Sequence, residues 1–429
     1  MSTMDNQGNK ILIVGINYSP EPTGIAPYTE GLANAIADAG ADVRVVTGYP
    51  HYPFWRKMDG FSGLSSVEQS ENLTVQRLRH YIPRNPSFLR RILMEASFAL
   101  RATWATLFHR ADLILCLSPT LLSSAAFVIR TRLLRSRTPV VLWVQDFYGL
   151  GASETGQLSG GLSSLVDRAE SWILRKSDHV VVIHPRFAKH AQDNLGVDSS
   201  SVTVIRNWTH LDLSQSACTR EDSRNRLGWG PEQKIVLHAG NMGAKQGLEN
   251  VVDAARLLGP RQSDIKFVLM GDGNQRAHLE ALSEGCTGIE FMDPVGGEDF
   301  TDVLRAADAL LLNELADLRS MAVPSKLTSY FASGVPVVAA TSSDSASGEE
   351  IALSGAGVRV DAGNPEALVR EIEMLVSDPV RAAQLARNGG EYVHETLSPG
   401  SATTAFGDLF GGLINRDSLP TRPTQARAR

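Results

Sequence analysis

Lys10-Ile-Leu-Ile-Val-Gly15, then Asn17-Tyr-Ser-Pro-Glu-Pro-Thr-Gly24, a helical stretch from Tyr28 to Ala39 closed by Gly40, and Asp42-Val-Arg-Val-Val-Thr47 together decide the fold. The first run is short, continuously apolar and bounded by turn residues. A strand buried on both faces reads that way, because neither side of its pleat meets water. The Pro- and Gly-containing segment predicts a loop, and Gly40 marks the helix end. Strand, loop, helix and strand in that order form the building block of a doubly wound parallel sheet. Further apolar runs at 111–117, 139–144 and 179–183 extend the pattern, so residues 10–205 read as one α/β domain.

A second series begins at Lys234-Ile-Val-Leu-His-Ala-Gly240. Strands are expected at 265–270, 288–292, 307–312 and 335–340, with helices at 248–258, 277–283 and 300–306 and one ending at Gly334. Residues 206–400 therefore read as a second domain of the same architecture. The polar stretch Asn207–Arg226 reads as the linker. After Ser398 the pattern weakens, leaving 401–429 as a C-terminal segment whose polar tail from 419 is expected to be disordered. The expected fold is two facing Rossmann-like domains. Ligands of such sheets bind beyond the carboxyl ends of the strands, which places a ligand cleft between the domains.

With 429 residues, 43% hydrophobic and 21% charged, the chain has the composition of a globular protein with a full core. Its net charge of −6 does not point to a nucleic-acid binder. The charge is unevenly spread. Residues 1–200 hold 20 Lys+Arg against 17 Asp+Glu, and residues 201–429 hold 21 against 30. Between Arg84 and Arg137 there are nine Arg, no Lys and two acids, Glu95 and Asp112. That run is either a solvated helix surface or a face turned to anionic lipid or a phosphate-bearing acceptor. Cys116, Cys218 and Cys286 are far apart and form no CxxC, so neither a disulfide framework nor a zinc site is expected. The polar start, Met1 to Asn9, lacks a signal-peptide core. The apolar stretch 92–108 is broken by Glu95 and Arg101, so no transmembrane helix is expected and a cytoplasmic location fits.

Five constellations carry chemistry. Pro20-Glu-Pro-Thr-Gly24 precedes the first helix, where glycine lets backbone approach a ligand and free N–H groups meet an anion. No GxGxxG stands in this turn, which disfavours a dinucleotide oxidoreductase. Ala239-Gly-Asn-Met-Gly-Ala-Lys-Gln-Gly247 is a glycine-rich loop after a strand, with Lys245 able to reach a phosphate, though it is not a P-loop. Met270-Gly-Asp-Gly273 closes a strand, either to let a base or ribose approach or as a plain turn. Val323-Pro-Ser-Lys-Leu327 starts a helix with Ser325 as cap, so dipole, amides and the Lys326 ammonium converge on an anion. Trp143-Val-Gln145-Asp146 ends a strand with polar side chains, Asp146 being either functional or a helix cap.

The Pro324-Ser-Lys326 helix leading to Ala332-Ser-Gly334-Val-Pro336-Val-Val-Ala339 resembles the donor-binding helix of retaining GT-B glycosyltransferases, of the family 4-like, group 1 type. The Gly240–Gly247 loop paired with Gly271-Asp-Gly273 does so too. Asn17–Gly24 and Trp143–Asp146 resemble the subgroup that builds colanic-acid-type exopolysaccharide. The resemblance spans residues 10–395 and implies a hexosyltransferase-type enzyme of GT-B fold. It implies a nucleotide-diphosphate sugar bound by the C-terminal domain, and a glycan or lipid-linked acceptor bound by the N-terminal one. It implies retention at the anomeric carbon, no metal and no cofactor, since cations and helix termini stabilise the leaving diphosphate. Carried over by position, Asp146, Gln145 and Lys326 are the candidate catalytic residues. Gly24, Gly240, Asn241, Lys245, Gln246, Gly271, Gly273, Ser325 and Ser329 are the candidate substrate contacts. The family's Glu-x7-Glu pair falls on Met321 and Ser329, its phosphate-loop Arg and Lys on Asn241 and Gln246, and its His before Asp on Gln145. A sugar-nucleotide epimerase on the same fold, or a non-catalytic partner in a glycan-assembly complex, are the competing readings. The expected location is the cytoplasm, at the inner face of the plasma membrane if the acceptor is lipid-linked and the Arg-rich segment 84–137 touches lipid.

Overall fold

The apolar runs become two separate sheets in a computed structural model that describes residues 8–22, 24–118, 120–149, 161–209, 218–259, 263–316 and 325–416. The chain divides into two units, one of residues up to Asn207 together with Pro399 onward, the other Trp208–Ser398.

The first unit holds β1 (Lys10–Val14), β2 (Asp42–Gly48), β3 (Ser65–Gln69), β4 (Leu73–Leu78), β5 (Leu113–Ser118), β6 (Val140–Val144), β7 (His179–Val182) and β8 (Val202–Val204). Their order in the sheet is β3-β4-β2-β1-β5-β6-β7-β8. Every pairing is parallel except β3 with β4. Parallel neighbours need a crossover, and α1 (Ala26–Asp38), α2 (Phe88–Ala105), α3 (Leu121–Leu133), α4 (Gly161–Lys176) and α5 (Pro185–Asp193) supply helices for it. Strands β5, β6 and β7 are buried along their whole length, which is why they were legible as apolar runs. The β3–β4 pair was not foreseen. Ser65-Ser-Val-Glu-Gln69 is a largely exposed edge strand with no apolar run to betray it.

In the second unit, α6 (Arg220–Leu227) lies inside the stretch read from sequence as linker, and this corrects that reading. Thr219 caps it by accepting from the Asp222 amide at 3.1 Å, and Gly228 ends it in the left-handed region at φ 71°. The helix looks like linker because it buries only Ser223 and Arg224. Arg224 anchors it by donating to the carbonyls of Ala306, Gly230 and Gln233 and to Asp308. Residues 210–217 of the expected linker lie outside the described residues.

Then follow β9 (Lys234–Ala239), α7 (Glu249–Leu258), β10 (Ile265–Met270), α8 (Arg276–Leu282), β11 (Ile289–Met292), α9 (Glu298–Ala306) and β12 (Ala309–Asn313). After them come α10 (Ser325–Ala332), β13 (Val337–Ala340), α11 (Ala346–Ser354), β14 (Gly357–Val360), α12 (Pro365–Ser377) and α13 (Pro379–Thr396). The sheet is wholly parallel in the order β11-β10-β9-β12-β13-β14. Strand order reverses between β9 and β12, the switch point where such sheets bind ligands. Alternation along β9 feeds two cores: Ile235, Leu237 and Ala239 join one and Val236 the other.

The last helix, α14 (Pro399–Arg416), belongs to the first unit. Phe406 and Phe410 are fully buried, and the Phe406 ring meets Trp143 of β6 edge-on at 4.9 Å between centroids. The tail from 419 lies outside the described residues. No described helix is long and apolar enough to cross a membrane.

Candidate active site

β9 and β10 are neighbours and end at the same level, so the loops that follow emerge side by side. The Gly240 amide donates to the Met270 carbonyl at 2.9 Å, and the Met242 amide to the Asp272 carbonyl at 2.8 Å. Gly240, Gly271 and Gly273 have φ of 133°, 147° and 156°, in the region that favours glycine. A Cβ on Gly271 would stand 1.9 Å from the Gly240 carbonyl oxygen. One on Gly273 would stand 2.4 Å from that of Met242. These glycines let two loops lie backbone against backbone.

The Gly240–Gly247 loop is held from beneath by Asn313, the buried last residue of β12. Its amide donates to the carbonyls of Gln246 at 2.8 Å and Gly247 at 2.9 Å and accepts from Asn250 at 2.8 Å. The Gln246 side chain accepts from the Gly243 amide at 3.0 Å, so it braces the loop. Asn241 and Lys245 are exposed on the same loop. Asn313→Ala would strand two carbonyls, at about 1–3 kcal/mol each when buried. We expect a donor KM raised at least about tenfold with a smaller change in kcat, from steady-state kinetics.

Lys326 lies in the first turn of α10. Its Nζ would be 3.6 Å from a Cβ built on Gly240, so lysine and glycine loop share one place. The ammonium is buried and has no hydrogen-bond partner among the described residues. Burial lowers its pKa from 10.5 to about 8, against an upward pull from Glu314. Glu314 accepts from Thr341 Oγ1 at 2.5 Å and Ser347 Oγ at 2.7 Å. Beneath lies His238, fully buried and held neutral by burial and then by Lys326. The Tyr330 hydroxyl, one helical turn on from Lys326, accepts from the Ala239 amide at 2.8 Å and ties α10 to the end of β9. Ser329 is half-buried, and its carbonyl accepts from the Ser333 amide. The Ser325 side chain, Pro324 and Met321 lie outside the described residues.

The remaining candidates are in the first unit. Gly24, at φ 71°, faces the Tyr52 ring, which a Cβ would meet at 3.6 Å. Buried Glu21 holds the loop before it, accepting from Asn17 Nδ2 at 2.7 Å and from the amides of His51 at 2.7 Å and Tyr52 at 2.9 Å. Gln145 forms a reciprocal amide pair with Asn207, at 2.9 and 2.7 Å. Asp146 is exposed, and its carbonyl accepts from Ser118 Oγ at 2.9 Å.

Two carboxylates that sequence reasoning missed flank the segment after Asp146. Glu170 accepts from the amides of Tyr148 at 2.8 Å and Gly149 at 3.1 Å. Glu95 faces the start of α3 and the Tyr148 hydroxyl. Burial raises each to about 7, with the hydrogen bonds pulling back down. In the sequence Glu95 shows only as an acid that interrupts an apolar stretch, with nothing local to mark its partners. Among the described residues no cluster of three or more His, Cys, Asp or Glu is placed to hold a metal ion.

A doubly wound unit whose switch point holds a buried lysine ammonium with no hydrogen-bond partner among the described residues is built for an anion, and comparison with known proteins gives the class. Residues 23–208 match the Glycosyl transferase 4-like domain and residues 233–378 match Glycosyl transferases group 1. The chain belongs to this glycosyltransferase family. It is 31% identical over 410 residues to the putative colanic acid biosynthesis glycosyl transferase WcaI of Escherichia coli strain K12, covering 92% of this chain and 98% of WcaI. Among solved structures it is similar to HepE of Anabaena in complex with UDP, with TM-score 0.65, 16% identity and coverage of 94% and 100% of the two chains. It is also similar to WaaG, a glycosyltransferase involved in lipopolysaccharide biosynthesis, with TM-score 0.62, 17% identity and the same coverage. The fold is GT-B, as the motifs led one to expect.

Proposed function

We propose that this glycosyltransferase moves a hexosyl group from a nucleotide-diphosphate sugar to a glycan or lipid-linked acceptor in cell-surface polysaccharide assembly, with retention at the anomeric carbon. The observation that carries the reading is the buried Lys326 ammonium, without a hydrogen-bond partner among the described residues and beside Gly240. A buried cation without hydrogen bonds is costly, and the leaving diphosphate is the charge that would satisfy it. The amides of the Gly240–Gly247 loop, the start of α10 with Ser325, and Lys245 and Asn241 from the loop's exposed side complete the anion cradle. Gly271 and Gly273 shape it, Ser329 takes the ribose side, and no cofactor or metal enters the reaction. Asp146 and Gly24 serve the sugar and acceptor, with Gln145 acting through its pair with Asn207. A lipid-linked acceptor places the reaction at the inner membrane surface, with the Arg-rich segment 84–137 as the contact. Similarity to WcaI and to a UDP-bound structure supports the donor and pathway classes.

A thermal-shift panel of UDP-, GDP-, ADP- and dTDP-sugars tests it. One should stabilise the protein by about 2.7 kcal/mol at a hundredfold excess over Kd. No shift with any of them would leave a non-catalytic partner, and an isomerised donor in the absence of acceptor would make the protein an epimerase.

A further inference from the structure

Ten of the 22 large apolar side chains exposed among the described residues fall between Leu89 and Leu134. On α2 they are ordered. Leu89, Leu93, Leu100 and Trp104 lie within about 60° of one another around a helix of 3.6 residues per turn. The opposite side buries Met94, Phe98 and Ala102 against the unit. Leu100 is 74% exposed, Trp104 79%, and Phe108, in the turn that follows, 95%. Single exposed leucines are ordinary, but a continuous stripe ending in two aromatics is not. The helix α3, which packs against α2, repeats the pattern with exposed Leu122, Ile129 and Leu133.

The charge around the stripe is predominantly positive. Arg84, Arg90 and Arg110 are exposed and Arg101 is half-buried. Arg90 and Arg101 each give one hydrogen bond to a backbone carbonyl, of Asn85 and Leu64. Of the nine arginines between 84 and 137, Arg132 forms an ion pair, with Asp178, and the other eight form none among the described residues. The two acids of the segment offset only a small part of nine positive charges. Glu95 is buried, and the Asp112 carboxylate accepts from the Lys10 amide at 2.8 Å. A second copy of this chain is a poor occupant, because a two-fold contact would bring two arginine-rich faces together.

We propose that α2 and the turn after it form an in-plane membrane anchor. Leu89, Leu93, Leu100, Trp104 and Phe108 enter the boundary between headgroups and acyl chains of an anionic bilayer, and Arg84, Arg90, Arg101 and Arg110 engage its phosphates. The proposal rests on the membrane-surface location given above, but its test needs no turnover.

The full-length protein is sedimented with vesicles of phosphatidylcholine alone and of phosphatidylcholine with phosphatidylglycerol. Binding is expected to the anionic vesicles and to weaken as salt rises. Tryptophan emission should shift to the blue on binding and be quenched by brominated acyl chains, and Trp104→Phe should abolish both changes. The double variant Leu100→Glu, Trp104→Glu should bind at least about tenfold more weakly. Because both positions are exposed, its thermal unfolding and its response to nucleotide sugars should match the parent's. Replacing Arg84, Arg90, Arg101 and Arg110 by Gln should remove the preference for anionic lipid. No binding to anionic vesicles, equal binding by the double variant, or binding without the Trp104 blue shift would overturn the anchor. So would self-association in sedimentation that the double variant abolishes, which would make a second copy the occupant. The nucleotide-sugar response is read without lipid, so it fails or holds separately.

Discussion

Lys326→Met is expected to lower turnover about 10²–10³-fold, the scale on which losing one group aimed at a developing negative charge is felt. The same change is expected to raise the unfolding midpoint of the nucleotide-free protein. Methionine keeps the apolar stem and removes a buried ammonium that has no hydrogen-bond partner among the described residues. The sign follows from linkage. The unfolded chain holds this proton up to about 10.5 and the native protein only to about 8. Below pH 8 both states are protonated and the full cost of burying the charge is present. Between 8 and 10.5 the unfolded state binds more protons, so stability rises with pH. The amount is on the order of 1–3 kcal/mol. A diphosphate favours the charged form and lifts the pKa, so nucleotide binding near pH 9 should take up a proton and weaken as pH rises above 8. Calorimetry in buffers of different ionisation enthalpy reads that uptake, and the Met variant should show none. Unchanged turnover in the variant, or nucleotide affinity flat from neutral to alkaline pH, would take the lysine out of the mechanism.

Gly271→Ala is expected to cost about 3–5 kcal/mol, from backbone strain combined with overpacking. The added carbon would stand 1.9 Å from the Gly240 carbonyl, and φ is 147°. The Gly240 loop must retreat, and with it the amides beside Lys326, so nucleotide-induced stabilisation should fall along with the denaturant midpoint. Gly285→Ala separates the two causes. Gly285 is also left-handed, at φ 77°, but nothing among the described residues lies within 4 Å of its built Cβ. It should cost only the backbone term, about 1 kcal/mol. Equal losses at both positions would show that the two loops do not depend on their close approach.

Much of the fold was legible because parallel strands buried on both faces must be apolar throughout. Ile11 to Val14 and Ile235 to Leu237 announce themselves in that way. The edge strand at Ser65–Gln69 does not, since four of its five residues are exposed. The helix Arg220–Leu227 hid for the opposite reason, being fixed by the hydrogen bonds of Arg220, Arg224 and Arg226 and hardly at all by apolar burial. In the site, Lys326 was legible because a cation just inside a helix start has a local meaning. Asn313, Glu314 and Glu170 have none. Asn313 matters because β12 ends beneath the Gly240–Gly247 loop, and Glu170 because α4 brings it to the amides of Tyr148 and Gly149. Gln145, read from the sequence as facing the sugar or acceptor, pairs its amide with Asn207, a partner 62 residues away that no local pattern announces.

The helix Pro399–Arg416 closes the first unit from the far end of the chain. During synthesis Trp143 leaves the ribosome long before Phe406, which covers it, has been translated. The amino-terminal half is therefore begun first and completed last, and a chain interrupted anywhere before residue 399 yields one finished lobe at most, never the earlier one.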